Sequence, residues 1–472
     1  MRRAPILAVF VCVVGALVVG SGGAAATRTA HPASAIVGTW QPSTTLFSAS
    51  SPDDEITAVD GPSVAADGRG RATAVWLYSS APVDEHDTPP PESVIMEADR
   101  SASGGWTRAR ALTALGTDID HPPSLAVDAR GDAVLAWDDG EEQVRAAYRP
   151  AGHSWQAVRT LSPPGVRAWG GTPDDPQVAL DDRGRALVAW TDEDASGVFR
   201  LEVDARGGSG LWGKAKTICT CGTFFSMAMN RRGQARVVWS PNLAEGDGGF
   251  WSESRAPSGQ WSAPQEVSPL GTADSAISLV INSHGAALVG WIPDKTRMLT
   301  VALAPPSRRF ESAQEIGGDA YWGFSVGLAP TGEAVLMSTN YKCCLFTFAR
   351  SPNARSFTRE QLLDFGEWTT IAGPLGMDAR GDTLALWART DDAQELHVHA
   401  AQRPAGGTFD SGSDLADAGP DSYKHAVCGA PSAIAMEPSG DAVAVWLARP
   451  KTLSSTGAPF LCSMVEAATF ER

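Results

Sequence analysis

Trp169, the Tyr321-Trp322 pair and Trp368 are the aromatic side chains with the clearest chemical potential. Each lies in a polar stretch, outside the pattern that places most of the 16 tryptophans. Asp120, His121, Asp174, Asp175 and His425 occupy comparable stretches. Indole faces stack on C–H-rich surfaces, and carboxylates accept hydrogen bonds from hydroxyls. Together they suit a polyhydroxylated ligand, and these nine residues are the candidate ligand-binding set. No cofactor is expected, although pairs of acids such as Asp174-Asp175 also have the oxygen chemistry that Ca²⁺ requires. Further acids sit in similar places: Asp118, Asp319 and Asp421, and the runs at Asp138-Asp139, Asp192-Glu193-Asp194 and Asp391-Asp392. His397-Val-His399 alternates like a strand and is read as an edge feature rather than a metal site. No H-E-x-x-H, P-loop or G-x-S-x-G motif is present, so no catalytic residue is assigned.

Composition narrows the class. The 472 residues are 19% charged and 43% hydrophobic, which excludes wholesale disorder. The net charge of −16 argues against a nucleic-acid binder, which needs a basic face. Arg2 and Arg3 precede an apolar run from Ile6 to Val19, and Ala24-Ala25-Ala26 offers a cleavage site. Residues 1–26 therefore read as a secretory signal peptide, too short to span a bilayer. Residues 27–37 read as a linker. The expected product is a secreted monomer with no membrane attachment after cleavage.

A repeat must position the candidate side chains. Pro123-SLAVDARGDAVLA-Trp137 and Pro176-QVALDDRGRALVA-Trp190 are two of eight copies, whose glycines are Gly70, Gly131, Gly184, Gly233, Gly285, Gly332, Gly381 and Gly440. Asp67, Asp128, Asp181 and Asp378 stand three residues before their glycines; Asn230, Asn282 and Glu437 replace Asp elsewhere, and Ala329 breaks the pattern. Asp or Asn opening a turn and Gly closing it is type I turn chemistry, so each copy predicts a β-hairpin. The second strands, such as Ala442-Val-Ala-Val-Trp446, are continuously apolar. Both faces must therefore be covered, which means sheets stacked on sheets. Small residues five before each glycine, Ala65 and Gly376 among them, suit that stacking.

A second hairpin follows in each period, marked by an aromatic as at Gly105-Trp106 or Ser154-Trp155. The unit is then four antiparallel strands, a to d, in about 50 residues, the period of a propeller blade. The eighth unit ends after strand c, at Cys462 to Arg472. Gly38 to Phe47 looks like a spare strand d. The fold expected is all-β: one eight-bladed β-propeller over 38–472, closed by residues 38–48 in the last blade. Seven blades is the alternative, if the copy at Gly332 is not a blade.

These motifs resemble secreted bacterial β-propellers, the broad group of sialidase-like, WD40-like and kelch-like repeats. The resemblance covers nearly all of the mature chain, but Asp-box, WD and kelch double-glycine series are missing. It implies that ligands bind where the d-to-a and b-to-c loops ring the central channel, which is where the candidate aromatics and acids fall. A sialidase would also need an arginine cluster there, and only Arg167 qualifies. The expectation is a binding module for a glycan, envelope component or protein. An extracellular carbohydrate-active enzyme using carboxylates of the same funnel ranks second, and a structural or adhesion module third.

Six cysteines remain after leader removal, in a compartment that permits disulfides. Cys428 precedes strand a of blade eight and Cys462 opens its strand c, so a Cys428–Cys462 bridge is expected. Cys219–Cys221 and Cys343–Cys344 are read as local pairs.

Overall fold

The computed structural model describes residues 38–49, 55–82, 92–114, 119, 121–139, 143–162, 167–168, 176–193, 197–221, 224–240, 249–268, 273–293, 296–317, 323–340, 344–365, 370–391, 395–420, 431–449 and 462–472. These form eight antiparallel sheets, each with its strands in the order a-b-c-d. The a strands are Glu55–Ala66, Ser124–Val127, Gln177–Leu180, Phe225–Met229, Ala273–Ile281, Phe324–Leu328, Thr370–Met377 and Pro431–Met436. Each contacts the next, and the eighth contacts the first, so the sheets close a ring around their inner strands. The molecule is an eight-bladed β-propeller. The copy at Gly332 is a complete blade, with strands Phe324–Leu328, Ala334–Thr339, Cys344–Arg350 and Thr358–Phe365, and this removes the seven-blade alternative.

The turn chemistry acts as its residue types require. Asp67 Oδ1 accepts the backbone N–H groups of Arg69 and Arg71, at 2.8 and 3.1 Å. Asp378 Oδ1 accepts three, from Arg380, Gly381 and Asp382. The closing glycines have φ between 71° and 105°, a region that a side chain resists. Glu437 departs from the pattern. Its longer side chain leaves its own turn and accepts the N–H of Gly70 in blade one, at 3.2 Å.

The b strands form the middle of the core. Ala133–Asp139, Ala287–Pro293 and Ala442–Ala448 are buried along their whole length. Their tryptophans are at most 4% exposed, and Trp76, Trp190, Trp291 and Trp446 at most 1%. Stacking explains the small residues of strand a. A Cβ on Gly376 would come within 3.0 Å of Ile434 in the next blade, and one on Gly327 within 3.1 Å of Met377.

The ring closes as the repeat predicts. Thr39–Trp40 and Thr44–Ser48 pair antiparallel with Met464–Glu471, from Thr39 opposite Glu471 to Ser48 opposite Met464. The Trp40 and Phe470 rings meet at 5.4 Å, and a side chain on Gly38 would collide with Phe470. Closure satisfies the outer edge of strand c, a site where another chain could otherwise pair.

Strand d of blades one and two shrinks to Arg110–Ala111 and Arg159–Thr160. Trp251, on strand c of blade four, is 37% exposed. Cys219 and Cys221 form a disulfide. Cys344 and Cys462 are also disulfide-bonded, while Cys343 and Cys428 lie outside the described residues. Among the described residues no helix is long and apolar enough to cross a membrane.

Candidate functional site

The blades present two faces. The d-to-a and b-to-c loops lie on one, here the loop face. The a-to-b and c-to-d turns lie on the other, the turn face. Of the nine residues expected to bind ligand on the loop face, Trp169, Tyr321, Trp322, Trp368, Asp120, Asp174, Asp175 and His425 lie outside the described residues. His121 is half-buried before strand a of blade two, and its Nδ1 lies 2.6 Å from Oδ2 of Asp138, at the end of strand b. Asp138 is 6% exposed, and its Oδ1 has no hydrogen-bond partner among the described residues. Other acids among the described residues are engaged in the fold. Asp139 is buried and ion-paired with Arg145, and its Oδ1 accepts the N–H of Gln143. Asp391 faces His397 at 3.2 Å. His399 faces Asp414 at 2.7 Å and stacks on Trp387.

The turn face carries a circuit of hydrogen bonds that crosses every blade junction. Arg71 Nη2 donates to Arg130 O (2.7 Å), Ala129 N to Asp182 Oδ1 (3.2 Å) and Asp182 N to Arg231 O (3.0 Å). Asn230 Nδ2 donates to Asn282 O, and Asn282 Nδ2 to Ala329 O. Gly406 N donates to Glu333, Arg472 Nη1 to Asp378 and Gly70 N to Glu437, which completes the circle. Asn230, Asn282, Asp378 and Gly70 thus serve twice, in forming their own turn and in latching an adjoining blade.

Where arginines enter this circuit, the balance of charge differs between junctions. Arg403, 1% exposed, joins blades six and seven between Glu333 (2.9 Å) and Glu360 (3.1 Å). Arg472 joins blades seven and eight between Asp378 (3.1 Å) and Asp382 (2.6 Å). Each cation there faces two carboxylates. Between blades one and two four guanidiniums meet three carboxylates, Asp67, Asp99 and Glu97. A cleft of about 340 Å³ is lined by Arg71, Arg100, Arg110 and Arg149 against Asp67 and Asp99, with Thr73, Ser101, Thr107 and His153 completing its wall.

The origin of this cleft is local. Arg100 and Arg149 end strand c of their blades, and Arg71 follows a turn glycine. Behind the cleft lies Glu97, fully buried, which takes the Trp155 indole N–H at 2.9 Å and pairs with Arg110 (2.5 Å) and Arg149 (3.3 Å). Burial pushes the Glu97 carboxyl up, and Asp99 adds to this, against the pull of Trp155, Arg149 and Arg110. A raised carboxyl is a general-acid signature. Here it touches no solvent and cannot reach a substrate, so its role is to hold the arginines. Arg149 also bonds Asp99 at 3.0 Å and Thr73, and its guanidinium lies 4.9 Å over the Trp155 ring. Arg100 gives one N–H to Gly70 O at 2.7 Å, while its buried Nε has no hydrogen-bond partner among the described residues. The cleft can therefore receive an anion, which would bring the acceptors that the wall lacks.

This cluster escaped the sequence reading. Its arginines come from two blades and from both turns of the face, and each has a bland local reason to be there. The usable signal was the Arg that closes strand c opposite an aromatic opening strand d, as in the bridge from Arg100 to Trp106.

No family model matches the sequence, and no curated protein matches it. Solved structures do match. The BP39L lectin from Burkholderia pseudomallei is 12% identical, with 79% of this chain and 100% of that chain covered and a TM-score of 0.48. A microbial sialidase is 12% identical over 70% of this chain and 63% of its own, with a TM-score of 0.36. A polysaccharide lyase acting on ulvan is 9% identical over 68% and 88%, with a TM-score of 0.42. At these identities no ligand or activity carries over.

Proposed function

We propose that this chain is an exported, non-catalytic propeller that binds an acidic glycan, with a ligand carboxylate seated in the cleft between blades one and two. The observation that carries this reading is the excess of guanidinium over carboxylate in that cleft, on a chain with 54 acidic and 38 basic residues. Guanidinium forks match carboxylates in geometry as well as charge. The hydroxyls of Ser101 and Thr107 suit a sugar ring around that carboxylate. The leader-like start of the chain supports export, where such glycans are met.

Isothermal titration with galacturonic acid oligomers tests the reading, with neutral galactose oligomers as control. Arg110, exposed at the cleft mouth, is the residue to change. Arg110→Gln is expected to weaken uronate binding about tenfold or more, the loss of one charge-assisted contact. Equal binding by wild type and variant, or equal binding of neutral and acidic oligomers, overturns it.

A second reading keeps the glycan on the loop face, around Trp169, Tyr321, Trp322, Trp368, Asp120, His121, Asp174, Asp175 and His425. It is favoured by the buried Oδ1 of Asp138, which lacks a hydrogen-bond partner among the described residues beside His121. Neutral-glycan binding lost in Trp169→Ala, Trp322→Ala or Trp368→Ala would support it; binding unchanged in all three would remove it.

A further inference from the structure

We infer that the junction of blades two and three carries a second carboxylate site, and that the two sites together seat one acidic polysaccharide along the turn face. The inference rests on the function proposed above and extends it from one charge to a polymer.

The second cleft, of about 480 Å³, is lined by Arg130, Arg183 and Arg206 against Asp132, with Tyr148 in its wall. Its chemistry parallels the first. Arg206 is 7% exposed, donates to Gly184 O at 3.0 Å and lies 3.4 Å over the Tyr148 ring. Arg130 is shared between Asp128 (3.2 Å) and Asp132 (3.1 Å). Arg183 is exposed, and among the described residues its guanidinium has no hydrogen-bonding or ion-pair partner. Three cations therefore line the cleft beside one lining carboxylate, with a guanidinium free to meet a ligand.

The two clefts are adjacent across a single turn. Gly131 lines the first, and its neighbours Arg130 and Asp132 line the second. Along strand c of the same blade, Arg149 faces the first and Tyr148 the second. A chain leaving one cleft over this turn enters the other.

At the next junction Arg185 repeats the place of Arg71. Arg185 of blade three pairs with its own Asp181 and donates to Pro257 O of blade four, occupying the space over Gly233. Two cationic clefts stand side by side on a chain of net charge −16. That arrangement suits a ligand with spaced charges. A duplex nucleic acid, with a charge about every 1.7 Å, would set most of its phosphates against the acidic remainder of the surface. A uronate polymer offers one carboxylate per sugar.

Titration of the full mature chain with galacturonate trimer, with polygalacturonate and with duplex DNA tests this. Two trimers per protein are expected, with polymer affinity about a hundredfold above trimer affinity because one chain engages both clefts. Arg183→Gln should reduce trimer stoichiometry from two to one and remove most of the polymer's advantage. One trimer per wild-type protein, lost in Arg110→Gln and unaffected by Arg183→Gln, overturns the second site and leaves the proposed function standing. Trimer binding in neither cleft overturns both. Duplex DNA binding more tightly than polygalacturonate overturns the ligand class.

Discussion

Asp364, on strand d of blade six, accepts the indole N–H of Trp387, on strand b of blade seven, at 2.6 Å. Trp76, Trp190, Trp291 and Trp446 hold the equivalent place in other blades, and their indole nitrogens have no hydrogen-bond partner among the described residues. One position of the repeat thus has two energetic characters. Trp387→Phe removes ring volume and strips a buried carboxylate of its shortest bond, leaving Arg389 at 3.3 Å. Trp446→Phe removes ring volume and a donor that has no partner among the described residues. Urea unfolding of the two variants should show Trp387→Phe less stable by about 1–3 kcal/mol. Equal losses would mean that the Asp364 bond adds nothing net.

The closing strand can be removed. A chain starting at residue 49 leaves Met464–Glu471 as an open edge with unpaired backbone groups. Light scattering after gel filtration should show concentration-dependent association, with a lowered unfolding midpoint. A monomer with an unchanged midpoint would show that residues 38–48 contribute nothing to the ring.

His399 gives stability a pH dependence of definite sign. Burial pushes its imidazole below the ordinary value, helped by Arg389 and His397 and opposed by Asp414 and Asp364. The unfolded chain takes up that proton near pH 6.5, and the folded chain only at lower pH. As pH falls below about 6.5, the unfolded state binds more protons and the fold loses stability. Thermal midpoints between pH 8 and pH 5 should fall less steeply in His399→Gln than in wild type. Parallel profiles would assign the acid loss to other groups.

The eighth blade invites a covalent test. Cys462 is disulfide-bonded and lies at the start of the closing sheet's strand c segment. Non-reducing peptide mapping should recover it joined to Cys428. A free thiol at Cys428 would reject that pairing.

The frame of this molecule was legible because it repeats. Asp67, Asp128, Asp181 and Asp378 each cap a turn, and the missing last strand was found at the other end of the chain. Strand d was legible only in part. Arg110–Ala111 keeps two residues of pairing, whereas Thr358–Phe365, equally outermost, runs to eight. The cationic clefts were not legible. Arg71 and Arg149 are 78 positions apart, and each reads alone as a solvated end of a hairpin. Only the angular offset between successive blades brings them to one wall. Glu437 shows the same limit, since a carboxylate in the place of a turn cap proved to bond the neighbouring blade.

The register of the eighth blade has a mechanical corollary. Thr39 lies opposite Glu471 while Ser48 lies opposite Met464, so both chain ends leave the sheet from the same corner. Tension applied along the polypeptide from its two ends would load the outermost backbone bonds one after another, like a zip, instead of shearing the row at once. The seam that completes the circle is therefore the element that should give way first under pull, well before any of the other seven sheets feels force.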